Sequence, residues 1–191
     1  MLDLHRPDPA WLRERLAEWA TAPLSYTHRS GIDHPPQGGF IVDHHRAYLG
    51  RGQAVFSATK AALDEWVHFP DWAVIHPHLA SQTPGSLVAM VVRIMGLWWI
   101  NPCRILQRHD SETTHGFVYG TLPEHAECGE ELFGAEMDAQ GDVWYVIRAF
   151  SRPRHWMAWV GFPLARWWQC RFVRDSQAKM QHTVRAAVGL Q

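Results

Sequence analysis

The chain has 191 residues, a length that suits one domain able to bury its core without disulfides or metal ions. Its 18 Lys and Arg residues nearly balance its 19 Asp and Glu residues, which argues against broad electrostatic binding to nucleic acid. The three cysteines are far apart and odd in number, so we expect free thiols in a reducing compartment rather than a disulfide framework: Cys103, Cys128 and Cys170.

Targeting and membrane signals are weak in this sequence. Charged residues interrupt positions 1–20, which argues against a signal peptide. The longest apolar run, Trp156 to Ala165, is too short to span a bilayer. We therefore expect a cytoplasmic protein.

The first part of the chain predicts a helix, a connector, a strand and a second helix. An Asp-Pro pair caps the helix expected over residues 8–21, and the Pro- and Gly-rich stretch 22–39 forms a connector. A strand is expected over 40–49 and a helix over 52–66, where apolar residues recur at helical spacing.

In the second part of the chain, apolar and polar residues first alternate with period two, and apolar residues then recur at helical spacing. Short turns imply an antiparallel meander. We predict six strands, near residues 72–77, 86–95, 97–108, 113–121, 130–138 and 142–150. A long helical stretch follows from Pro153 to about residue 188, and Pro163 kinks it or splits it in two.

This order of elements predicts a single α+β domain over residues 1–191. In it, a curved antiparallel sheet of about seven strands grips the long C-terminal helix within residues 40–188, with an extra N-terminal helix. The arrangement resembles START-like or Bet v 1-like (SRPBCC) helix-grip domains. That resemblance implies a cavity between sheet and helix. The sequence does not place the N-terminal helix, and leaves open that it covers one cavity mouth or pairs with a second chain.

Two segments carry a resemblance to a family. They are Gly116 to Phe133 and Ala149 to Pro153, followed by Pro163, Arg166 and Gln169, with residues 49–52 and 56–66 upstream. Over roughly residues 24–188 the chain resembles the DUF1990 (UPF0548) family, a domain of unknown function. The resemblance implies no catalytic or binding residue. One departure is Glu124, which stands where the family usually has Gly.

The loop expected around residues 119–131 brings together the candidate catalytic residues Tyr119, His125 and Glu131. If Glu131 faces the cavity, burial raises its pKa and makes it a proton carrier. The alternative is a polar hairpin turn whose carboxylates cap backbone N–H groups or pair with Arg148 and Arg152.

Arg148 is the second candidate, because it lies among apolar strand residues. An inward guanidinium needs a carboxylate or an anionic ligand, and Glu131 on the adjacent strand is the expected partner. Either Arg148 or Arg152 therefore holds the carboxylate or phosphate of a ligand, or the pair fixes the corner between sheet and helix.

Other chemistries find little support. The histidine groups at 44–45 and 76–78 lack metal-ligand spacing, and the sequence contains no nucleophile elbow, so we predict no metal site and no cofactor. The Trp- and Arg-rich stretch 156–174 is interpreted as a core helix, with peripheral membrane contact as the alternative.

We therefore expect a binding module for a small hydrophobic or amphipathic molecule. Tyr119, Glu131 and Arg148 would orient the ligand. The apolar lining would be Val88, Met90, Trp99, Phe117, Phe133, Tyr145 and Trp159. Two alternatives stay open: an enzyme that uses the same cavity for cyclisation, dehydration or hydrolysis, and a ligand-free interaction protein whose 11 Trp residues fill the space. The sequence predicts no oligomeric state.

Overall fold

The protein is described here by a computed structural model, which describes residues 1–27, 31–36, 38–153 and 162–189. The elements are β1 (Leu2–Asp3), α1 (Pro9–Trp19), β2 (Ile41–Arg51), α2 (Gln53–Asp64), β3 (Ala73–His76), β4 (Leu87–Ile94), β5 (Leu97–Asp110), β6 (Thr114–Thr121), β7 (Glu127–Met137), β8 (Asp142–Pro153) and α3 (Phe162–Ala187).

One antiparallel sheet organises the described residues. Its strand order is β2-β8-β7-β6-β5-β4-β3, and β1 pairs with β5 off this path. The six consecutive strands β3 to β8 form the expected meander, and β2 closes it beside β8. With α3 lying against this sheet, the predicted α+β helix-grip class is confirmed.

The inner face of the sheet, defined as the face toward α2 and α3, carries the main core. Alternate strand residues point to it because the side chains of a strand alternate between faces. Trp66 donates from Nε1 to the carbonyl of Ala80 at 2.8 Å, and the Tyr145 hydroxyl bonds Ser176 Oγ of α3 at 2.8 Å. The aromatic members are Phe56, Trp66, Phe69, Phe117, Tyr119, Phe133 and Tyr145, and α3 adds Met180.

The outer face is covered by the N-terminal part of the chain. The Asp8 side chain accepts the N–H groups of Ala10 and Trp11, which starts α1 at Pro9. The helix packs Leu12, Leu16 and Trp19 on Ala89, Val91, Ile100 and Leu122. Thus α1 lies on the outer face of the sheet, opposite the face that α2 and α3 cover.

Glu124 explains part of how α1 is held. Its Oε1 accepts from Arg15 Nη2 at 2.9 Å and from Trp19 Nε1 at 3.2 Å. The residue that departs from the family pattern therefore ties the loop after β6 to the N-terminal helix.

Two glycines allow neighbouring strands to approach closely. A Cβ at Gly129 would lie 1.8 Å from the carbonyl oxygen of Phe150, and one at Gly116 would lie 2.2 Å from that of Phe133. Any other residue at either position would force the paired backbones apart.

The C-terminal helix differs from the predicted core helix because one of its tryptophans is exposed to solvent. Pro163 lies in the first turn of α3, and the predicted helical residues 154–161, with Trp156 and Trp159, lie outside the described residues. Phe172 packs inward, but Trp167 is 54% exposed. Within the part of the chain that the structure describes, no helix is both long enough and apolar enough to cross a membrane.

Candidate binding site

A tyrosine and a glutamate form the centre of the candidate site. Tyr119 of β6 and Glu131 of β7 are directly opposite in the strand pairing, and both face inward. The Tyr119 hydroxyl donates to Glu131 Oε2 at 2.6 Å. Strand alternation therefore brings two of the three predicted catalytic residues into direct contact.

The surroundings of this pair shift the pKa of both groups. Burial raises the pKa of Glu131 to about 7, against the opposing effect of the Tyr119 hydrogen bond; the nearby carboxylates of Glu127 and Asp43 raise it further. Burial and the charge of Glu131 hold the pKa of Tyr119 well above its ordinary value. Tyr119 thus stays a hydrogen-bond donor, while Glu131 exchanges a proton near neutral pH.

The same row of side chains continues across the sheet and contains a small residue, Ala149. Asp43 of β2 is paired with Ala149 of β8, which is paired with Glu131. Asp43 and Glu131 are therefore two strands, or about 10 Å, apart on the same face. Ala149, with its single methyl group, is the residue between them in this row.

The first turns of α3 close over this row with polar contacts. Arg166 donates to both carboxylate oxygens of Asp43, and Gln169 donates to Glu127. Burial raises the pKa of Glu127, whereas the bonds to Asp43 raise that of Arg166. The helix end is fixed here by hydrogen bonds and charge.

The two ends of the inner face differ in how fully they are packed. At the end beneath the second half of α3, Phe117, Phe133 and Tyr145 are completely buried. At the Glu131 end, Glu131, Ala149 and Ser151 are only half-buried although they face the helix side. The Glu131 side chain is therefore less fully enclosed than those three rings.

The predicted apolar lining residues that the structure describes lie on the expected inner face. Val88, Met90 and Trp99 join Phe117, Phe133 and Tyr145 in the inner core, and Trp159 lies outside the described residues. Trp99 Nε1 is buried without a hydrogen-bond partner among the described residues.

One predicted site residue, Arg148, does not face Glu131. Its paired neighbour on β7 is Leu132, so Arg148 points to the outer face. There it donates to Glu136 and lies 3.5 Å from Asp33. The prediction was wrong because a residue three positions after the inward Tyr145 must point outward.

The polar hairpin turn proposed as the alternative is also different in the structure. Glu127, Glu130 and Glu131 lie on β7 itself, and only residues 122–126 connect the two strands. Neither Arg148 nor Arg152 pairs with these carboxylates: Arg152 stacks 4.7 Å from the centre of the Phe40 ring and approaches Cys128 Sγ.

His125, the third predicted catalytic residue, lies in the loop between β6 and β7. Its Nδ1 accepts the backbone N–H of Glu127 at 3.0 Å. This contact orders the loop that leads into the strand of Glu131.

Sequence reasoning missed His68, which is completely buried on the helix side of the core. Its ring lies 4.7 Å from that of Phe133 and 4.8 Å from that of Phe69. Both ring nitrogens lack a hydrogen-bond partner among the described residues, and burial lowers the pKa of His68 to about 3. The only signal was its place in the Val-His-Phe-Pro stretch after α2.

Comparisons with known proteins agree with this fold. A family model described as a domain of unknown function, DUF1990, matches residues 24–179. A UPF0548 protein of Arabidopsis thaliana is 33% identical over 152 residues, covering 75% of this chain and 74% of that protein. A UPF0548 protein of Deinococcus radiodurans is 40% identical over 120 residues, covering 56% of this chain and 60% of that protein.

Two solved structures share the fold at low sequence identity. A hypothetical protein from Helicobacter pylori superposes with a TM-score of 0.52 at 10% identity, over 78% of this chain and 87% of that one. A protein from Thermus thermophilus gives 0.52 at 13% identity, over 77% of this chain and 99% of that one. Similarity at this level concerns architecture alone.

Proposed function

The chain belongs to the DUF1990 family, and from that premise we propose that it binds a small hydrophobic or amphipathic molecule between the inner face and α3. The observation that supports this most strongly is the half-buried Glu131, bonded to Tyr119 on a face that is otherwise largely apolar. A carboxyl group in such a place costs folding free energy, which is typical of a group kept for binding or chemistry.

The row of side chains defines what the ligand must offer. A hydroxyl or amine head sits over Ala149 and donates to Glu131, while Tyr119 already satisfies the other carboxylate oxygen. Asp43 is occupied by Arg166 and does not compete for the ligand. The apolar body of the ligand then extends along the inner face toward residues such as Trp99.

A fluorescent probe tests this proposal. N-phenyl-1-naphthylamine is apolar, carries one N–H donor and brightens in apolar surroundings. We expect saturable binding to the wild type. We expect loss of binding in Ala149→Phe, because the added ring would occupy the position over residue 149 that we assign to the ligand's head group. The control is Leu106→Trp, which enlarges a side chain on the outer face, where binding is retained.

Equal binding by wild type and Ala149→Phe would overturn the proposal, provided both variants unfold cooperatively. Absence of binding in the wild type, with a tightly packed interior in solution, would favour the ligand-free interaction protein instead.

Acid–base catalysis in the same place is the second candidate function. It is favoured by one observation: burial brings the pKa of Glu131 to about 7, where a carboxyl group both gives and takes protons at neutral pH. Such a group suits cyclisation, dehydration or hydrolysis of the bound molecule. An enzyme loses product formation in Glu131→Gln while keeping most ligand affinity, whereas a binding protein loses affinity and forms no product.

A further inference from the structure

A cavity of about 620 Å³ lies on the outer face of the sheet, on the opposite side from Glu131. Residues 23–27 and Gly31 form one wall, and strands β5 and β7 form the other. Its walls include Pro23, Leu24, Tyr26, Arg104, Leu106 and Glu130. The sequence predicts a cavity on the inner face, so this one lies on the opposite side of the sheet from the predicted one.

A glycine opens this cavity toward the sheet. Arg104, Gly120 and Glu130 are directly paired across β5, β6 and β7, and therefore form one row on the outer face. A Cβ at Gly120 would lie 2.4 Å from the Tyr26 hydroxyl oxygen. Because Gly120 has no side chain, that hydroxyl reaches down between the two charged residues.

Glu130 is the polar group of the cavity. It is only 5% exposed, and its Oε1 accepts from the Tyr26 hydroxyl at 2.8 Å. Among the described residues, no donor contacts the second carboxylate oxygen. Burial raises the pKa of Glu130, and the hydrogen bond from Tyr26 opposes this effect.

Arg104 does not supply a positive charge to the Glu130 carboxylate. Its Nη2 donates to the carbonyl oxygens of Trp19, Ala20 and Ala22 at 2.9 to 3.1 Å, at the C-terminal end of α1. The guanidinium is thus turned away from Glu130, and about 10 Å separates the two residues along the row.

We propose that this outer cavity is a second ligand site, specific for a small amine with an apolar body. The ammonium group donates to the open oxygen of Glu130, and the body lies against Leu24 and Leu106. A hydrogen-bonded ion pair is the strongest interaction that a buried carboxylate short of donors can gain. An anionic molecule would meet the same carboxylate and be excluded.

The site is separate from the one beside Glu131. Glu130 and Glu131 are neighbours in β7 and point to opposite faces, each bonded to its own tyrosine. Failure of one proposal therefore leaves the other standing.

The test is a ¹H–¹⁵N NMR titration with phenethylamine, with phenylacetate as the anion of matched shape. We expect phenethylamine to shift the backbone amides of Gly31, Leu106 and Gly120, and phenylacetate to leave them unmoved. Glu130→Gln keeps the shape and the acceptor for Tyr26 but loses the charge, and weakens phenethylamine binding at least about 10-fold. Glu131→Gln leaves the affinity measured from these outer-face amides unchanged, because any phenethylamine bound beside Glu131 shifts inner-face amides instead.

Equal binding of both probes, or equal affinity in wild type and Glu130→Gln, would overturn the proposal. So would shifts confined to inner-face amides. Leu106→Trp fills the cavity without touching the carboxylate, and abolishes the shifts if the site is correct. This variant decides the question if Glu130→Gln does not fold.

Discussion

Glu130 and Glu131 show how strand geometry gives identical neighbours different environments. Each accepts a hydrogen bond from a tyrosine, Tyr26 on the outer face and Tyr119 on the inner face. Burial raises the pKa of both carboxyl groups. Their roles therefore depend on which space each face leaves open, and each can be tested alone.

The raised pKa of Glu131 predicts a loss of stability as pH rises. The folded state holds this proton more tightly than the unfolded chain, since the pKa moves from 4.5 to about 7. The stabilisation is complete below the unfolded value and is lost as pH rises through the folded one. Relative to wild type, Glu131→Gln should gain up to about 3 kcal/mol in free energy of unfolding between about pH 4.5 and pH 8.

Urea denaturation at the two pH values measures this change. Glu112→Gln, at an exposed position in the turn between β5 and β6, is the matched control and should show no such gain. A constant difference between Glu131→Gln and wild type at both pH values would contradict the assigned proton.

His68 predicts the opposite pH dependence. Burial, with a smaller effect of Lys179, lowers its pKa from 6.5 to about 3, so the folded state resists protonation. The contribution is complete above the unfolded value and is lost as pH falls toward the folded one. At about pH 5 the wild type should have lost about 2 kcal/mol relative to about pH 7.5 through this residue.

His68→Phe places a ring of similar shape among Phe69 and Phe133 and removes two unpartnered nitrogens. We expect a flatter acid limb in its chemical denaturation, and His5→Gln at an exposed position to keep the wild-type limb. Identical acid limbs for wild type and His68→Phe would exclude His68 as the titrating group.

At the scale of elements, α3 is held in two different ways. Its second half packs Met180 and Val184 into the core, whereas its first turns depend on Arg166 with Asp43 and Gln169 with Glu127. The polar half lies over the candidate site. Opening this end therefore need not disturb the packed half.

Arg166→Ala should loosen only the start of α3. Removing the half-buried guanidinium leaves Asp43 without its ion-pair partner and costs about 1 to 3 kcal/mol. Hydrogen exchange should become faster in residues 164–172 and stay slow around Met180. Arg185→Ala, at an exposed position in the last turn, is the control. Uniform acceleration along α3 would show that the polar contacts do not act locally.

Gly129 should be far less tolerant than a nearby glycine in the same strand. In Gly129→Ala the new Cβ meets the carbonyl oxygen of Phe150 at 1.8 Å, and we expect a loss of more than about 3 kcal/mol. In Gly134→Ala the nearest atom is a flexible side-chain carbon of Leu132 at 3.2 Å, and the cost should be about 1 kcal/mol. Thermal unfolding of both variants measures the difference, and equal melting temperatures would refute it.

At the scale of the whole molecule, regular patterns were predictable from sequence and long-range placement was not. The period-two pattern correctly put Phe117 and Tyr119 on one face of β6. It also put Glu131 and Phe133 on one face of β7. The same rule, applied strictly, would have turned Arg148 outward.

Other features have no local signal. The side chains of Arg166 and Asp43 meet across 123 positions of sequence, and nothing in residues 8–21 indicates that α1 lies on the outer face. The sequence around Gly120 also gives no indication of its role, because that role depends on contact with Tyr26, which is distant in sequence. These contacts exist only once the sheet has formed.

Native mass spectrometry of the protein purified under non-denaturing conditions tests the central claim, that a small molecule occupies the space beside Glu131. The account predicts an added mass on the wild type that denaturation releases, retained in Leu106→Trp and absent from Ala149→Phe. An unadorned wild-type mass, or the same added mass on Ala149→Phe as on wild type, would contradict it.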